Sequence, residues 1–186
     1  MKKIINEKRI DQIITFLESL KIRSERFSKT IRKRNISVIQ DFNQAFIHSS
    51  DDKIINYEKL EFFGDAVLRL AASNFIEKRY PKMNVGERSE LRAQIVSDEW
   101  LTKLGTQIGI EKVIIKGAKA LGDKNSKNTI IAEATEALIG AVYKCFDSIQ
   151  EVNIWLDDIW ERDSEIFLRA PYKFKSKTVL QEWCQS

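Results

Sequence analysis

The sequence predicts an all-α fold, and three observations support this class. The 186 residues include only 7 Gly and 2 Pro, which leaves little turn chemistry for a many-stranded sheet. Apolar residues recur at three- and four-residue spacing over most of the chain, as in amphipathic helices. Apolar residues make up 43% and charged residues 31% of the chain, a composition that suits one packed globular core.

The helices follow from this periodicity in chain order. Apolar residues at helical spacing predict helices over residues 10–20, 37–46, 57–79, 87–108, 129–146 and 152–168. Ser37 is the expected cap of the second, Pro81 ends the third, and the fourth is divisible near Ser97. The basic segment 24–35 has weak periodicity and is interpreted as a link, and residues 122–128 as a loop. The last helix has an expected buried stripe formed by Ile154, Trp155, Ile159, Trp160 and Phe167.

Charge is distributed unevenly along the chain. Residues 1–36 carry 11 Lys/Arg against 4 Asp/Glu, residues 37–168 carry 16 against 22, and residues 169–186 carry 4 against 1. Basic flanks suit a polyanion such as RNA. An acidic middle suits the same partner only if cations lie between its carboxylates and the phosphates. The alternative is that all three segments are ordinary solvated surface.

Several classes of protein are disfavoured by composition. Cys145 and Cys184 form no C-x-x-C pair and suggest no disulfide framework. Charged residues interrupt the N-terminal segment, so it does not resemble a signal peptide, and no stretch has the ~18 apolar residues of a membrane span. We therefore expect a cytoplasmic protein without a membrane partner or an organic cofactor.

Two predicted helices carry carboxylates at helical spacing. Glu58, Glu61 and Asp65 lie at i, i+3 and i+7 and share one helix face, whereas apolar residues surround them in sequence. Glu133 and Glu136 repeat the i, i+3 spacing among small residues that allow another helix to approach closely. Side by side, the two helices would place four or five carboxylates together, which favours a hard cation, Mg²⁺ or Mn²⁺, over zinc.

These acids also have other interpretations. Either helix alone could simply have a polar face. A di-iron bundle needs two Glu-x-x-His pairs, but the only histidine, His48, does not lie three residues after a glutamate. His48 is better interpreted as a hydrogen-bonded structural residue than as a catalytic base.

Paired cations held by carboxylates are suited to in-line hydrolysis of phosphodiesters.

The same residues resemble the ribonuclease III family. NYEKLEFFGDAVL (56–68) resembles the family signature N-E-R-L-E-F-L-G-D-[AS]-[VI]-L, AFIHSS (45–50) is similar to A-L-T-H-R-S, and AEATEALIGAVY (132–143) to A-D-x-x-E-A-L-I-G-A-x-Y. The resemblance covers residues 35–168. It implies an all-α endonuclease domain, the ribonuclease III helical bundle, that acts as a homodimer on double-stranded RNA and leaves 5′-phosphate and 3′-hydroxyl ends.

The resemblance also implies roles for individual residues. Matching positions make Glu61, Asp65, Glu133 and Glu136 metal ligands, with Asp65 and Glu136 catalytic and Glu58 an auxiliary catalytic acid. Basic residues are expected to contact RNA phosphates; these are Arg92, Lys119, Lys124 and Lys127.

This sequence departs from the family pattern at three positions. Glu133 replaces the usual Asp, Ser49 replaces Arg, and Val85 replaces an acid for which Glu87 is a candidate substitute.

These observations divide the chain into three expected parts. Residues 1–36 form a basic N-terminal helix and arm, and residues 37–170 the catalytic domain. Residues 171–186 are expected to form a linker and the truncated start of a double-stranded-RNA-binding domain, because KSKTVLQEWCQ (175–185) is similar to the first helix of the domain that follows the catalytic domain in this family. The leading hypothesis is a Mg²⁺-dependent endoribonuclease that processes ribosomal and other structured RNA. The alternative is a non-catalytic RNA-binding or ribosome-associated protein that retains the fold.

Overall fold

The computed structural model describes residues 5–118 and 126–169, and the regular elements of these ranges are helices. Eight helices are named here in chain order: α1 (Glu7–Ser19), α2 (Glu25–Arg32), α3 (Ile36–Gln44), α4 (Glu58–Arg79), α5 (Val85–Ile95), α6 (Asp98–Ile108), α7 (Lys127–Phe146) and α8 (Gln150–Arg169). A short 3₁₀ turn covers Ile110–Lys112. The predicted all-α class is confirmed, and no helix in the described ranges combines the length and apolar composition needed to cross a membrane.

The interpretation of residues 24–35 as a link is wrong. Ser24 caps α2 by accepting a hydrogen bond from the Phe27 amide. Phe27 and Ile31, one helical turn apart, are both buried, and two anchors are too few to produce a clear sequence period. The predicted cap of the next helix is also wrong, because Asn35 accepts from the Ser37 amide and α3 begins at Ile36.

Helices α1 and α2 pack onto the same hydrophobic core as the later helices. Ile13 and Leu17 of α1 are fully buried. The Arg9 guanidinium donates to the Asn43 side chain at 2.8 Å and to the Val113 carbonyl at 2.7 Å. Helices α1 and α2 therefore contribute to this core, and the domain division at residue 36 stays a prediction. The predicted tail, residues 171–186, lies outside the described residues.

The predicted division near Ser97 is confirmed. Ser97 lies between α5 and α6, and its hydroxyl accepts from the Trp100 amide. At the other end of α5, Asn84 and Glu87 form a reciprocal capping box. Glu87 accepts from the Asn84 amide at 2.9 Å, so its carboxylate is committed to the helix start.

Helix α8 covers the bundle through its aromatic residues. Trp155 and Trp160 are buried as predicted, whereas Ile154, Ile159 and Phe167 are only partly buried. The Trp160 indole donates to the Ile95 carbonyl at 3.0 Å, which joins α8 to the end of α5. Each indole nitrogen that enters a core needs such a partner, because an unpaired buried donor is costly.

The most extensive contact between described helices joins α4 to α7. It depends on two glycines at the crossing point. A Cβ atom on Gly64 would collide with the Glu136 carbonyl oxygen and lie 3.2 Å from the Gly140 nitrogen. A Cβ atom on Gly140 would lie 2.5 Å from the Leu60 carbonyl oxygen. The two backbones are thus in direct contact, and no larger residue fits between them.

Gly64→Ala is expected to destabilise the protein although alanine favours helices. Overpacking against a rigid backbone costs ~1–3 kcal/mol, more than the ~1 kcal/mol gained in helix propensity. Gly86→Ala is the matched control, because its Cβ atom would meet only the Asn84 side chain, at 3.2 Å. Urea denaturation measures the free energy of unfolding of both variants. Equal values would contradict direct backbone contact at the crossing.

Candidate active site

The carboxylates of α4 and α7 meet beside this helix crossing. Glu61, Glu133 and Glu136 line one open cleft of about 470 Å³. The remaining lining comes mainly from the start of α6 and the start of α7: Asp98, Glu99, Thr102, Asn128, Thr129 and Ala132. The predicted approach of the two acidic helix faces is therefore observed at Glu61, Glu133 and Glu136, whereas Glu58 and Asp65 do not line this cleft.

The surroundings of two glutamates disfavour their ionised forms. Burial, together with the charges of Glu133 and Glu58, raises the pKa of Glu61 to about 7. Burial likewise raises the pKa of Glu136 to about 8, with added repulsion from Asp65, Glu61 and Asp98. Acids with such pKa values cluster at functional sites.

Asp65 is held by a cation from its own helix. The Arg69 Nε atom donates to both carboxylate oxygens of Asp65, at 2.8 and 2.9 Å. Hydrogen bonding to Asp65 raises the pKa of Arg69, and the charges of Asp65, Glu136 and Asp98 act in the same direction. Arg69 therefore lies within the field of the acidic cluster and offsets part of its charge.

Glu133 has a different partner. The hydroxyl of Tyr57 donates to Glu133 Oε2 at 2.5 Å. Burial, this hydrogen bond and the nearby acids raise the pKa of Tyr57, so its hydroxyl retains the proton that it donates. Glu58, the predicted auxiliary acid, is exposed at the first turn of α4 and affects the cluster through its charge.

His48 is a hydrogen-bonded residue of the neighbouring loop, as predicted. Its Nδ1 atom lies 2.7 Å from the Ser50 hydroxyl and accepts from the Ser50 amide at 3.0 Å. An isolated bridge between Ile47 and Ile115 holds this loop against the chain that leaves α6. Burial lowers the pKa of His48, which favours the neutral ring.

The predicted RNA contacts are only partly placed. Arg92 is exposed on α5 and donates to the Ser73 hydroxyl at 3.1 Å. Lys127 is exposed at the start of α7 and forms an ion pair with Glu111 at 3.1 Å. Lys119 and Lys124 lie outside the described residues. Neither Arg92 nor Lys127 lines the acidic cleft.

Sequence reasoning missed four residues of this site: Tyr57, Arg69, Asp98 and Glu99. Asp98 and Glu99 follow the capping residue Ser97 and could have been noted as acids that favour a helix start. Arg69 follows Asp65 at i+4, a spacing that predicts an ion pair. Nothing in the local pattern indicates that Tyr57 reaches Glu133, because the contact joins residues 76 positions apart.

The donor set fits a hard divalent cation in its chemistry. All candidate ligands are carboxylates, which magnesium and manganese prefer. As placed, however, no three acidic, histidine or cysteine side chains within residues 5–118 and 126–169 form a group able to hold one metal ion. Both oxygens of Asp65 are engaged by the Arg69 guanidinium. The acids are thus collected at one place but are not arranged as a coordination shell.

Comparison with known proteins identifies the family. A family model described as Ribonuclease-III-like matches residues 40–152. Ribonuclease 3 of Prochlorococcus marinus is 44% identical over 182 residues, which covers 98% of this chain and 73% of that protein. The chain belongs to the ribonuclease III family. Ribonuclease 3 2 of Synechocystis is 35% identical over 142 residues, and the alignment covers 76% of this chain and 58% of that relative.

Solved structures support the same fold. The nuclease domain of ribonuclease III from Campylobacter jejuni matches with a TM-score of 0.57 at 22% identity, covering 86% of this chain and 95% of that domain. Dicer from Pichia stipitis matches with a TM-score of 0.54 at 23% identity over 68% of this chain and 56% of that one. These matches show that this chain has the same helical fold as the ribonuclease III nuclease domain.

The raised pKa values predict how stability depends on pH without metal. An ordinary glutamic acid loses its proton near pH 4.5, whereas folded Glu61 and Glu136 retain theirs to about pH 7 and 8, because their pKa values are raised. The folded state therefore binds more protons over this interval, and stability is expected to fall as the pH rises.

Glu136→Gln is expected to flatten this dependence. With allowance for solvent screening, the variant should exceed the wild type in stability by about 1 kcal/mol at pH 8. Thermal melts with a chelator at several pH values provide the measurement. A wild-type stability that increases over the interval, or an unchanged dependence in the variant, would contradict the assigned repulsion.

Proposed function

We propose that this chain is the catalytic domain of a divalent-metal-dependent endoribonuclease that hydrolyses double-stranded RNA. Its products would have 5′-phosphate and 3′-hydroxyl ends, and its substrates would include ribosomal and other structured RNA precursors in the cytoplasm. The proposal extends the family assignment, which by itself supports an endoribonuclease. The observation that carries it is the cluster of Glu61, Asp65, Glu133 and Glu136 around the α4–α7 crossing.

The energetics of the cluster favour a bound cation. Glu61 and Glu136 have raised pKa values because like charges and burial oppose their ionisation. A divalent cation would reverse this balance, and its binding would release protons. A solvated polar face would not need the Asp65–Arg69 pair or the Tyr57–Glu133 hydrogen bond to relieve it.

The four carboxylates would hold the ion, with Mg²⁺ as the expected metal and Mn²⁺ as a substitute. When bound, such an ion supplies Lewis-acid stabilisation of the charge on a phosphodiester during in-line attack by water. The residues Glu61 and Glu136 must give up the protons that they retain near neutral pH before they act as ligands. Asp65 would contribute the carboxylate that now accepts from Arg69, and a guanidinium released from it would be available to a phosphate oxygen.

Duplex RNA would approach the open side of the cleft. Among the described residues, exposed Arg92 and Lys127 are candidates for phosphate contacts. Lys119 and Lys124 remain candidates from the sequence. Each phosphate that these side chains neutralise would add to the salt dependence of binding. The contacts would position the duplex without reading its sequence.

A homodimer is proposed from exposed apolar residues on α4 and its neighbour. Phe62 is 85% exposed and Leu70 53% exposed, and a spacing of eight residues places them on one face of α4. Val85, at the start of α5, is 80% exposed. The Campylobacter jejuni nuclease domain has a region involved in dimer formation. Burial of this surface between two copies would also bring two cleavage sites to one duplex.

Asp65→Asn is expected to abolish cleavage while preserving the fold. The change removes a ligand charge but no core volume, so the rate should fall at least about a hundredfold. Long duplex RNA, incubated with and without Mg²⁺ and separated on a denaturing gel, gives the rates. Asp158→Asn is the matched control, because its exposed carboxylate pairs with Arg23 at 3.1 Å. Retained cleavage in Asp65→Asn would refute the mechanism, and RNA binding by the wild type without cleavage would favour the non-catalytic alternative.

Phe62→Ser is expected to weaken dimerisation. Loss of a buried aromatic contact on each side of a two-fold interface should raise the dimer dissociation constant at least tenfold, or ~1.4 kcal/mol. Sedimentation velocity at micromolar concentration provides the measurement. Ile166→Ser is the control, because Ile166 is also an exposed apolar residue, at 54%, but lies on α8. A monomeric wild type, or an equal effect of both substitutions, would contradict the proposed interface.

A further inference from the structure

Tyr57 is unusually well fixed for a residue at the start of a helix. It precedes α4, and its side chain is buried, with the residue only 1% exposed. Its amide donates to the Ile47 carbonyl at 2.9 Å, and its carbonyl accepts from the amides of Leu60 and Glu61 at 2.8 and 2.9 Å. The ring of His48 packs edge-on against its ring at a centroid distance of 5.5 Å. The position of the phenol is therefore determined by the backbone on both sides and by a ring contact.

The hydrogen-bond acceptor of this buried phenol is a carboxylate. It donates to Glu133 Oε2 at 2.5 Å, within the range of a charge-assisted O–H···O⁻ bond. A carboxylate can accept at four lone-pair positions. Glu133 lines the acidic cleft, and one such bond leaves its Oε1 atom able to bind a cation.

Two features of Glu133 favour rotation of its side chain away from the cluster. Its charge contributes to the raised pKa of Glu61, so the two carboxylates repel each other across the cleft. A glutamate also has one more rotatable bond than the aspartate that the family resemblance leads us to expect here, and ordering that bond costs entropy. Without a donor, repulsion and this added freedom would both favour rotation of Glu133 away from the cluster.

We propose that Tyr57 is a positioning residue whose hydroxyl fixes the carboxylate of Glu133 for metal binding. This inference rests on the proposed metal-dependent function. In this chain the tyrosine accommodates the longer acidic side chain, because the phenol holds Oε2 and leaves the other oxygen able to bind a cation. Tyr57 does not touch the substrate and acts only through Glu133.

The test measures Mn²⁺ affinity in the absence of RNA, with free Mn²⁺ followed by electron paramagnetic resonance. Tyr57→Phe removes one oxygen atom and retains the ring packing. Loss of the partner of a metal-ligating side chain typically weakens affinity about 10- to 100-fold, and we expect this range. Tyr80→Phe is the matched control: its hydroxyl also forms a hydrogen bond with a side chain, Ser164 at 2.8 Å, but at the far end of α4. It should bind Mn²⁺ as the wild type does.

A second comparison separates positioning from a general structural role. In a Glu133→Gln background the charge that Tyr57 orients is absent, so adding Tyr57→Phe should change Mn²⁺ affinity by less than about twofold. An equal loss in both backgrounds, a wild-type affinity in Tyr57→Phe, or an equal loss in Tyr80→Phe would each overturn the inference. A Tyr57→Phe protein that does not fold, judged by circular dichroism, would also overturn it, because the hydroxyl would then be a structural requirement.

Failure of the proposed function would look different. A wild-type protein that binds no Mn²⁺ would refute the carboxylate metal site and the inference together. A wild-type protein that binds Mn²⁺, and whose affinity is unchanged in Tyr57→Phe, would refute only the role of Tyr57.

Discussion

The direct contact of two helix backbones at Gly64 and Gly140 is the constraint on which the rest of this structure depends. Because no Cβ atom fits at the crossing, α4 and α7 lie closer than side chains would normally allow. Glu61 and Asp65 flank Gly64 on one helix, and Glu136 lies one turn before Gly140 on the other. Packing and chemistry therefore cannot be separated here. Any change that widens the crossing would also move the carboxylates apart and relieve their repulsion.

The close approach of the carboxylates has a different consequence for each acid. Arg69 holds Asp65, Tyr57 holds Glu133, and Glu61 and Glu136 are left with raised pKa values. A guanidinium neutralises its partner and competes with a cation, whereas a phenol donates one hydrogen bond and leaves the negative charge in place. The two partners thus affect metal binding differently. Arg69 would have to be displaced from Asp65, but Tyr57 can remain bound to Glu133.

Helical periodicity predicted most of the fold, and its failures have physical causes. The long helices α4, α7 and α8 each have enough apolar anchors to define a face, and Ser97 divides α5 from α6 as a capping residue should. Helix α2 was missed because only Phe27 and Ile31 anchor it. The four acids were predicted because spacing within a helix determines their face. Tyr57 and Asp98 were not, because their contacts depend on the three-dimensional placement of different elements.

The acids at the starts of α5 and α6 have different roles, because one caps its helix and another lies at the cleft. Glu87, the candidate substitute for an acid at Val85, closes the capping box with Asn84, so its carboxylate serves the helix start. Val85 itself is exposed and apolar. The first turn of α6 instead adds an acid to the cleft between α4 and α7. This acid is Asp98, which adds to the repulsion on Glu136. A helix start tolerates such an acid because its free amides and dipole favour negative charge. The α6 terminus can therefore present Asp98 to the cluster at a lower energetic cost than a mid-helix position would.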